Sequence, residues 1–180
     1  MKNANNLVWI DLEMTGLYPQ TDVILEIATI ITDDNLNPLA PSLSLVIHQP
    51  DSILENMNEW CKHQHALSDL TAEVKKSTTT LEQAQVETLS LIAQFCPPKK
   101  GILCGNSIWQ DQKFLERYMP NISAYLHYKM IDVTSIQQLI KRWYPDDPNI
   151  SFLKTEEHRA LPDILESIDE LKHYRKYFFI

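Results

Sequence analysis

Short apolar runs separated by polar breaks fill the first fifty residues, and beyond them apolar residues recur every three or four positions in longer segments. The first pattern predicts strands and the second helices, because side chains alternate faces along a strand and share one face at i, i+3 and i+4 along a helix. Residues 7–12, with Val8, Trp9 and Ile10 among them, read as a central strand that opens into a turn at Met14-Thr15-Gly16-Leu17. Residues 24–31 are a second apolar, β-branched run, interrupted by Glu26. The break at Asp33-Asp34-Asn35 leads to a third strand near residues 43–47. Residues 50–78 carry only weak helical patterns, at 57–61 and 70–74, and are expected to form short helices and turns.

The clearest helix follows Thr80. Leu81, Ala84, Thr88, Ile92 and Phe95 recur at helical spacing, Pro97-Pro98 stops the run, and either Thr80 with Gln83 or Thr79 with Glu82 can form a capping box. Residues 101–104 predict a short buried strand, 109–119 a helix ended near Pro120, and 130–131 a brief extended piece. Two more helices are expected, at 132–143 and 160–174. Three strands in series, then helices interleaved with short strands, predict an α/β domain with a mixed central sheet flanked by helices.

Composition narrows the class. The chain has 180 residues, 44% hydrophobic and 22% charged, enough for one domain with a substantial core. The start has a single lysine and a four-residue apolar run, LVWI, too short for a secretory leader, and no stretch reaches membrane-spanning length. Cys61, Cys96 and Cys104 match no zinc or redox spacing and are expected to be free thiols, part-buried, in a reducing cytoplasm. The net charge is −8, and all of it resides in residues 1–60, which hold one basic and nine acidic residues. That balance argues against a broad surface for long duplex nucleic acid, which needs a basic stripe, but leaves room for a small pocket organised by metal ions.

The candidate chemistry lies in the acids. Asp11 and Glu13 stand two apart at the end of an apolar strand, so alternation puts both on one face; they are either solvated at a strand end or gathered around a cation. Asp111 falls in the first turn of its helix, where an aspartate is common because it suits the helix dipole. His158 precedes the last helix and Asp163 lies in its first turn, a pair that also fits a surface histidine and a helix-end charge. Taken together, four carboxylates are the oxygen donors that Mg²⁺ or Mn²⁺ takes, and a histidine supplies a base near neutrality. That inventory suits two-metal phosphodiester hydrolysis.

The segments WIDLEMTGL (9–17), CGNSIWQDQKFLERYMP (104–120), HYKMIDVTSIQQLIKRWYP (127–145) and EHRALPDILESIDELKHYR (157–175) resemble, in this order, the histidine-bearing branch of the DEDD 3′→5′ exonuclease superfamily. The resemblance covers nearly the whole chain. It implies a ribonuclease H-like fold in a single exonuclease domain, residues 1–180. It also implies hydrolysis of short single-stranded RNA, down to dinucleotides, to nucleoside 5′-monophosphates. By the same resemblance Asp11, Glu13, Asp111 and Asp163 hold two divalent ions, Mg²⁺ or Mn²⁺, and His158 activates water. Leu17 wedges near the bases, Trp60 stacks on one, and Ser107, Gln110 and His65 contact the substrate. Tyr128, Lys129, Thr134 and Ser135 match positions that reach the substrate's 5′ end across a homodimer. The chain departs from the branch at three places: Trp109 stands where glycine is usual and is expected in the core, Lys129 replaces arginine, and Pro162 replaces an acid. The alternatives are a DNA-directed exonuclease with the same metal core and a binding protein that kept the fold without catalysis.

Overall fold

The structure is a computed structural model and describes residues 2–155 and 158–179. Five strands form one sheet in the order β3-β2-β1-β4-β5. They are β1 (Leu7–Met14), β2 (Ile24–Thr32), β3 (Leu43–Val46), β4 (Ile102–Gly105) and β5 (Met130–Asp132). The first three pair antiparallel, whereas β4 and β5 are added parallel to β1. The sheet is therefore mixed, as the pattern predicts. The helices are α1 (Asp51–Glu55), α2 (Glu59–Leu67), α3 (Leu70–Lys76), α4 (Leu81–Phe95), α5 (Trp109–Tyr118), α6 (Pro120–Tyr125), α7 (Val133–Trp143) and α8 (Ala160–Phe178). Thr80 and Gln83 form the capping box that opens α4.

Two cores lie on the two faces of the sheet. Val8, Ile10 and Leu12 point to a core shared with Ala84 and Ile92 of α4, Phe114 and Leu115 of α5 and Ile122 of α6. Trp9 points the other way, into a core with Val133 and Ile140 of α7 and Ile164, Ile168 and Tyr174 of α8. Strand alternation then carries Asp11 and Glu13 along the Trp9 face, the one α8 covers. The three thiols are unpaired and fully buried rather than part-buried. Burial pushes their pKa values up, to about 11 at Cys96, so they pack as small apolar groups.

Three boundaries differ from the sequence reading. Strand β1 runs on to Met14 instead of ending at Leu12, because Glu13 pairs in register with Glu26 and the ladder breaks only between Glu13 and Met14. Pro120 does more than stop α5: it occupies the first turn of α6, where its missing N–H has no partner to lose. Helix α8 continues to Phe178, since Tyr174 and Phe178 still pack on the α7 layer.

One ion pair ties these layers together. Glu26 is buried in the middle of β2, where every other position is apolar or a hydroxyl. Its carboxylate accepts from Arg159 Nε at 3.0 Å and Nη2 at 3.1 Å, from the Ala160 amide at 3.2 Å and from the Ser44 hydroxyl at 2.9 Å. Arg159 also donates to Glu73 of α3 at 2.7 Å. The start of α8 is thereby pinned to β2 and to α3. Breaking a buried pair by removing one partner strands the other charge, at a typical cost of about 3–5 kcal/mol. Glu26→Ala is expected to lower unfolding free energy by about 3 kcal/mol in urea titration; a loss below about 1 kcal/mol, the worth of a surface pair, would show that the pair does not hold the layers.

Candidate metal and substrate site

The strand end, not a loop, presents the acids. Asp11, Glu13 and Asp163 each place a carboxylate oxygen within 4.8 Å of the other two. The first two come from β1 and the third from the first turn of α8, whose start the Arg159–Glu26 pair fixes. Burial pushes the Asp11 carboxyl well above its ordinary range, and the charges of Asp111, Glu13, Asp163 and Glu26 push it further. Glu13 is raised to about 8 by burial and by Asp163, Glu26 and Asp111, against a smaller pull from Arg159.

Asp111 arrives from the other layer. Strand β4 accompanies β1 only as far as Trp9, opposite Cys104, and the chain then turns into α5. The Leu12 amide lies beyond that pairing, and Asp111 Oδ1 accepts from it at 3.0 Å. Burial raises the Asp111 carboxyl to about 7, although its backbone hydrogen bonds pull it down. Asp111 is thus beside the cluster and electrostatically part of it, while the tight three-acid group is Asp11, Glu13 and Asp163. Buried carboxylates this close are stable as anions only with a cation among them, and a hard divalent ion that prefers oxygen is the cation this donor set fits.

Around the cluster the structure places the histidines and aromatics named above. His158 has a left-handed backbone, φ 51°, immediately before the pinned Arg159, a strained conformation for a non-glycine residue. Its ring meets the Trp60 ring edge-on with centroids 5.7 Å apart. Trp60 lies on α2 and is 61% exposed, with most of its surface available for stacking. His65, one helical turn further along α2, is buried; its Nε2 is 2.9 Å from the Met14 carbonyl and its Nδ1 is 3.8 Å from Glu13 Oε2. An Nε2–H donating to that carbonyl leaves Nδ1 as an acceptor facing the acids, and burial lowers the pKa of this imidazole.

The loop after β1 is built to hold Leu17 out. A Cβ on Gly16 would stand 2.5 Å from the Asp22 carboxylate, so only glycine fits where the loop folds back. Asp22 in turn accepts from the Tyr18 amide and the Thr15 hydroxyl. Gln110 Nε2 donates to the Leu17 carbonyl at 2.6 Å, joining this loop to α5. The turn into α5 is held from below. Ser107, with φ 49°, donates its amide to Asp132 Oδ1 and Thr134 Oγ1, and its hydroxyl lies 3.3 Å from the Thr134 hydroxyl.

Ser107 and Thr134 therefore meet within one chain, and Ser135 follows, exposed, on α7. Tyr128 is 82% exposed and stacks on His127, with Lys129 Nζ 5.8 Å from its ring. These two are not brought to the acids of their own chain by any hydrogen bond or ion pair among the described residues. Trp109 is corrected: it lies at the surface, 49% exposed, because the first turn of α5 turns it away from the core that Phe114 and Leu115 fill.

Two residues of the site escaped the sequence reading. Arg159 and Glu26 carry no ligand motif; the one visible signal was an acid inside an otherwise apolar strand, which needs a buried partner. Glu170 is the second such acid, fully buried in α8. Burial pushes its pKa up, but bonds from Lys154, Asn106 and Tyr174 outweigh this and hold it below the usual range. Through Asn106 it steadies the residue next to Ser107.

The profile of the exonuclease family represented by RNase T matches residues 8–171. An oligoribonuclease from Pseudomonas fluorescens is 50% identical over 99% of this chain and 98% of its own length. The one from Ralstonia nicotianae is 49% identical over 98% of this chain and 80% of its own. The mitochondrial oligoribonuclease of Homo sapiens is 49% identical over 98% of this chain and 74% of its own. Among solved structures, exonuclease I from Methylocaldum szegediense superposes with a TM-score of 0.71 at 15% identity, and an E. coli exonuclease I complex with single-stranded DNA with 0.73 at 15%. This chain spans about two fifths of those exonuclease I chains, and at that identity the likeness is one of fold.

The acids predict a pH dependence. Glu13 rises from 4.5 to about 8 and Asp111 from 3.8 to about 7 in the metal-free fold. Between about pH 4 and pH 8 the folded protein holds protons that the unfolded chain has already released, so stability falls as pH rises through that window. In EDTA the Tm is expected to be lower at pH 8 than at pH 5.5. Mn²⁺ should raise it, and more at pH 8, because it replaces those protons. Asp11→Asn should raise the metal-free Tm and remove most of the Mn²⁺ increment. A metal-free Tm that climbs from pH 5.5 to pH 8, with no Mn²⁺ effect, would mean the acids do not form a cation site.

Proposed function

Since the chain belongs to the exonuclease family and, within it, to the oligoribonucleases, we propose the way it works: as a metal-dependent 3′→5′ exoribonuclease that trims short single-stranded RNA, ending with dinucleotides. The carrying observation is the convergence of Asp11, Glu13 and Asp163, in a chain half identical to oligoribonucleases along its full length. Two divalent ions, Mg²⁺ or Mn²⁺, would be held by those acids and Asp111, and when bound would supply Lewis-acid polarisation of the scissile phosphate and a more acidic water. His158 takes the proton of the attacking water. The water oxygen bonds to phosphorus as the bond from phosphorus to the 3′ oxygen of the penultimate nucleotide breaks; that 3′ oxygen takes a proton from solvent, and a nucleoside 5′-monophosphate leaves. Trp60, already edge-on to His158, offers its face to the 3′-terminal base, and Leu17 separates that base from the next. Arg159 keeps His158 in its strained backbone conformation by locking the following residue to Glu26.

The chain acts as a homodimer in this reading. Ser107 and Thr134 of one subunit, with Gln110 and Ser135, face the 5′ side of the substrate. Tyr128 and Lys129 are both exposed, and that exposure fits a role in closing the pocket of a second copy. A 5′-terminal phosphate held by Lys129 and these hydroxyls would favour the shortest RNAs. Lysine offers charge there but lacks the planar fork of arginine. No helix among the described residues is long and apolar enough to cross a membrane. Three unpaired buried thiols suit the reducing cytoplasm we assign to the protein.

The central test is a time course on 5′-labelled RNAs and matched DNAs from two nucleotides upward, with and without EDTA. Stepwise loss of 3′ nucleotides from RNA, abolished by EDTA, is the expected result. Equal or faster cleavage of DNA would favour the DNA-directed reading, and no cleavage of either would favour a binding protein. Asp11→Ala should cost at least about 100-fold in rate. His158→Ala should lower kcat about 10²–10⁴-fold with Mn²⁺ affinity retained, as befits a base and not a ligand. Loss of Mn²⁺ binding in calorimetry of His158→Ala would reassign that residue. In sedimentation the protein should run as a dimer. Lys129→Ala should slow 5′-phosphorylated dinucleotides more than unphosphorylated ones, and an unchanged preference would remove Lys129 from the pocket.

A further inference from the structure

Glu170 lies fully buried in α8, two turns beyond Asp163. Each of its oxygens is used twice. Oε2 accepts from Lys154 Nζ at 2.7 Å and from Asn106 Nδ2 at 2.8 Å. Oε1 accepts from the Tyr174 hydroxyl at 2.8 Å and from Gln137 Nε2 at 3.0 Å. Burial raises its pKa, but the bonds from Lys154, Asn106 and Tyr174 outweigh this and keep it an anion. A buried ion pair adds little to stability over well-packed apolar side chains of the same size, so stability alone does not account for this one. The origin of its donors does.

Lys154 stands four residues before His158, on the stretch of chain that enters α8. Thr155, next in line, donates its amide to Glu166 at 2.7 Å, one turn before Glu170 on the same face of α8. The Thr155 bond is exposed, whereas the Lys154 side chain is only 23% exposed and its partner is fully buried, so the ion pair is the firmer attachment. On the other side of His158, Arg159 is held by Glu26 of β2. His158 thus bends, with φ 51°, between one anchor on α8 and another on β2. The second arm of Glu170 reaches Asn106, which precedes Ser107 and lies in the turn that leads to Asp111. Gln137 stands one turn after Thr134 on α7, and Thr134 meets Ser107. One carboxylate therefore ties the approach to His158, the Ser107 turn and α7 to the helix that carries Asp163.

We propose that Glu170 is a positioning residue of the exoribonuclease, which sets the place of His158 through Lys154 and the place of Ser107 through Asn106. The proposal rests on the exoribonuclease reading and deepens it, by naming what fixes the spacing between the two ends of a pocket for a dinucleotide. Being fully buried, Glu170 touches neither RNA nor metal. It acts by distance. An imidazole takes a proton only within hydrogen-bond reach of the water, and a hydroxyl holds a phosphate only within the same reach.

The two arms are tested separately. Lys154→Met leaves Glu170 with three donors and should unfold within a few degrees of the unmodified protein; Lys154→Gln, which keeps a donor, is the second variant. On a dinucleotide, kcat is expected to fall about 10- to 100-fold, the scale that a misplacement of about 1 Å costs, with KM within about twofold. Lys154→Arg, which keeps the charge, should recover most of the rate. In a His158→Ala background Lys154→Met should change kcat by less than about twofold, because the group it positions is gone. Asn106→Ala should do the converse, raising KM for the 5′-phosphorylated dinucleotide about fivefold with kcat within about threefold. Imidazole NMR reads the placement without catalysis, the His158 signal being assigned by its loss in His158→Ala. Lys154→Met should shift or broaden that signal in the metal-free protein. A kcat untouched by Lys154→Met, a loss that persists in full without His158, or a KM untouched by Asn106→Ala overturns the proposal. If the unmodified protein cleaves no RNA yet Lys154→Met displaces the His158 signal, the exoribonuclease reading fails and the placement of His158 by Glu170 stands. If RNA is cleaved and Lys154→Met moves neither the signal nor kcat, the reverse holds.

Discussion

The repulsion among carboxylates at the end of β1 is the constraint to which the surrounding structure answers. Asp11 and Glu13 leave the apolar part of the strand on the face that α8 covers, and Asp163 comes down on them from that helix. Without a cation this arrangement opposes folding, as the raised pKa values of Asp11, Glu13 and Asp111 record. The fold holds it in place through contacts made elsewhere. Glu26 sits directly across from Glu13 in the β1–β2 register and adds a further negative charge, which Arg159 offsets with two hydrogen bonds. The guanidinium thus neutralises a buried acid next to the site without occupying the space among Asp11, Glu13 and Asp163. It remains protonated at any accessible pH, so this counter-charge is constant while the acids titrate.

The second constraint is the parting of β4 from β1. Had the parallel pairing continued beyond Trp9, the Leu12 amide would be occupied by the sheet, and Asp111 would have no anchor. The strand instead ends at Gly105, where a Cβ would press to 3.1 Å of the Ile10 carbonyl, and the chain turns through a left-handed Ser107 into α5. That turn is gripped from the β5–α7 junction by Asp132 and Thr134 and from α8 by Glu170 through Asn106. The Ser107 hydroxyl and the Asp111 carboxylate consequently hang on one short piece of backbone. A change in either is transmitted to the other over a few residues of rigid turn.

Much of this was legible in the chain itself. Apolar runs and helical spacing located the strands and most of the helices, because each element buries one face and its period shows in the sequence. The spacing of Asp11 and Glu13 placed them on a common face, since side-chain direction along a strand is a local property. The motifs around Asp111, His158 and Asp163, with their order, carried the family. What stayed hidden was pairwise and distant. Glu26 and Arg159 are 133 positions apart, and Asp111 and Leu12 are 99 apart; no local pattern announces such a bond. The extent of β1 to Met14 depended on its partner β2, and the place of Trp109 on which side of α5 faced the core. Sequence by itself determined which residues were available and which face each would show along its own element. Only the tertiary structure decided which faces met, because burial, charge pairing and hydrogen bonding between remote segments are satisfied collectively, once the sheet and its two helical layers have closed.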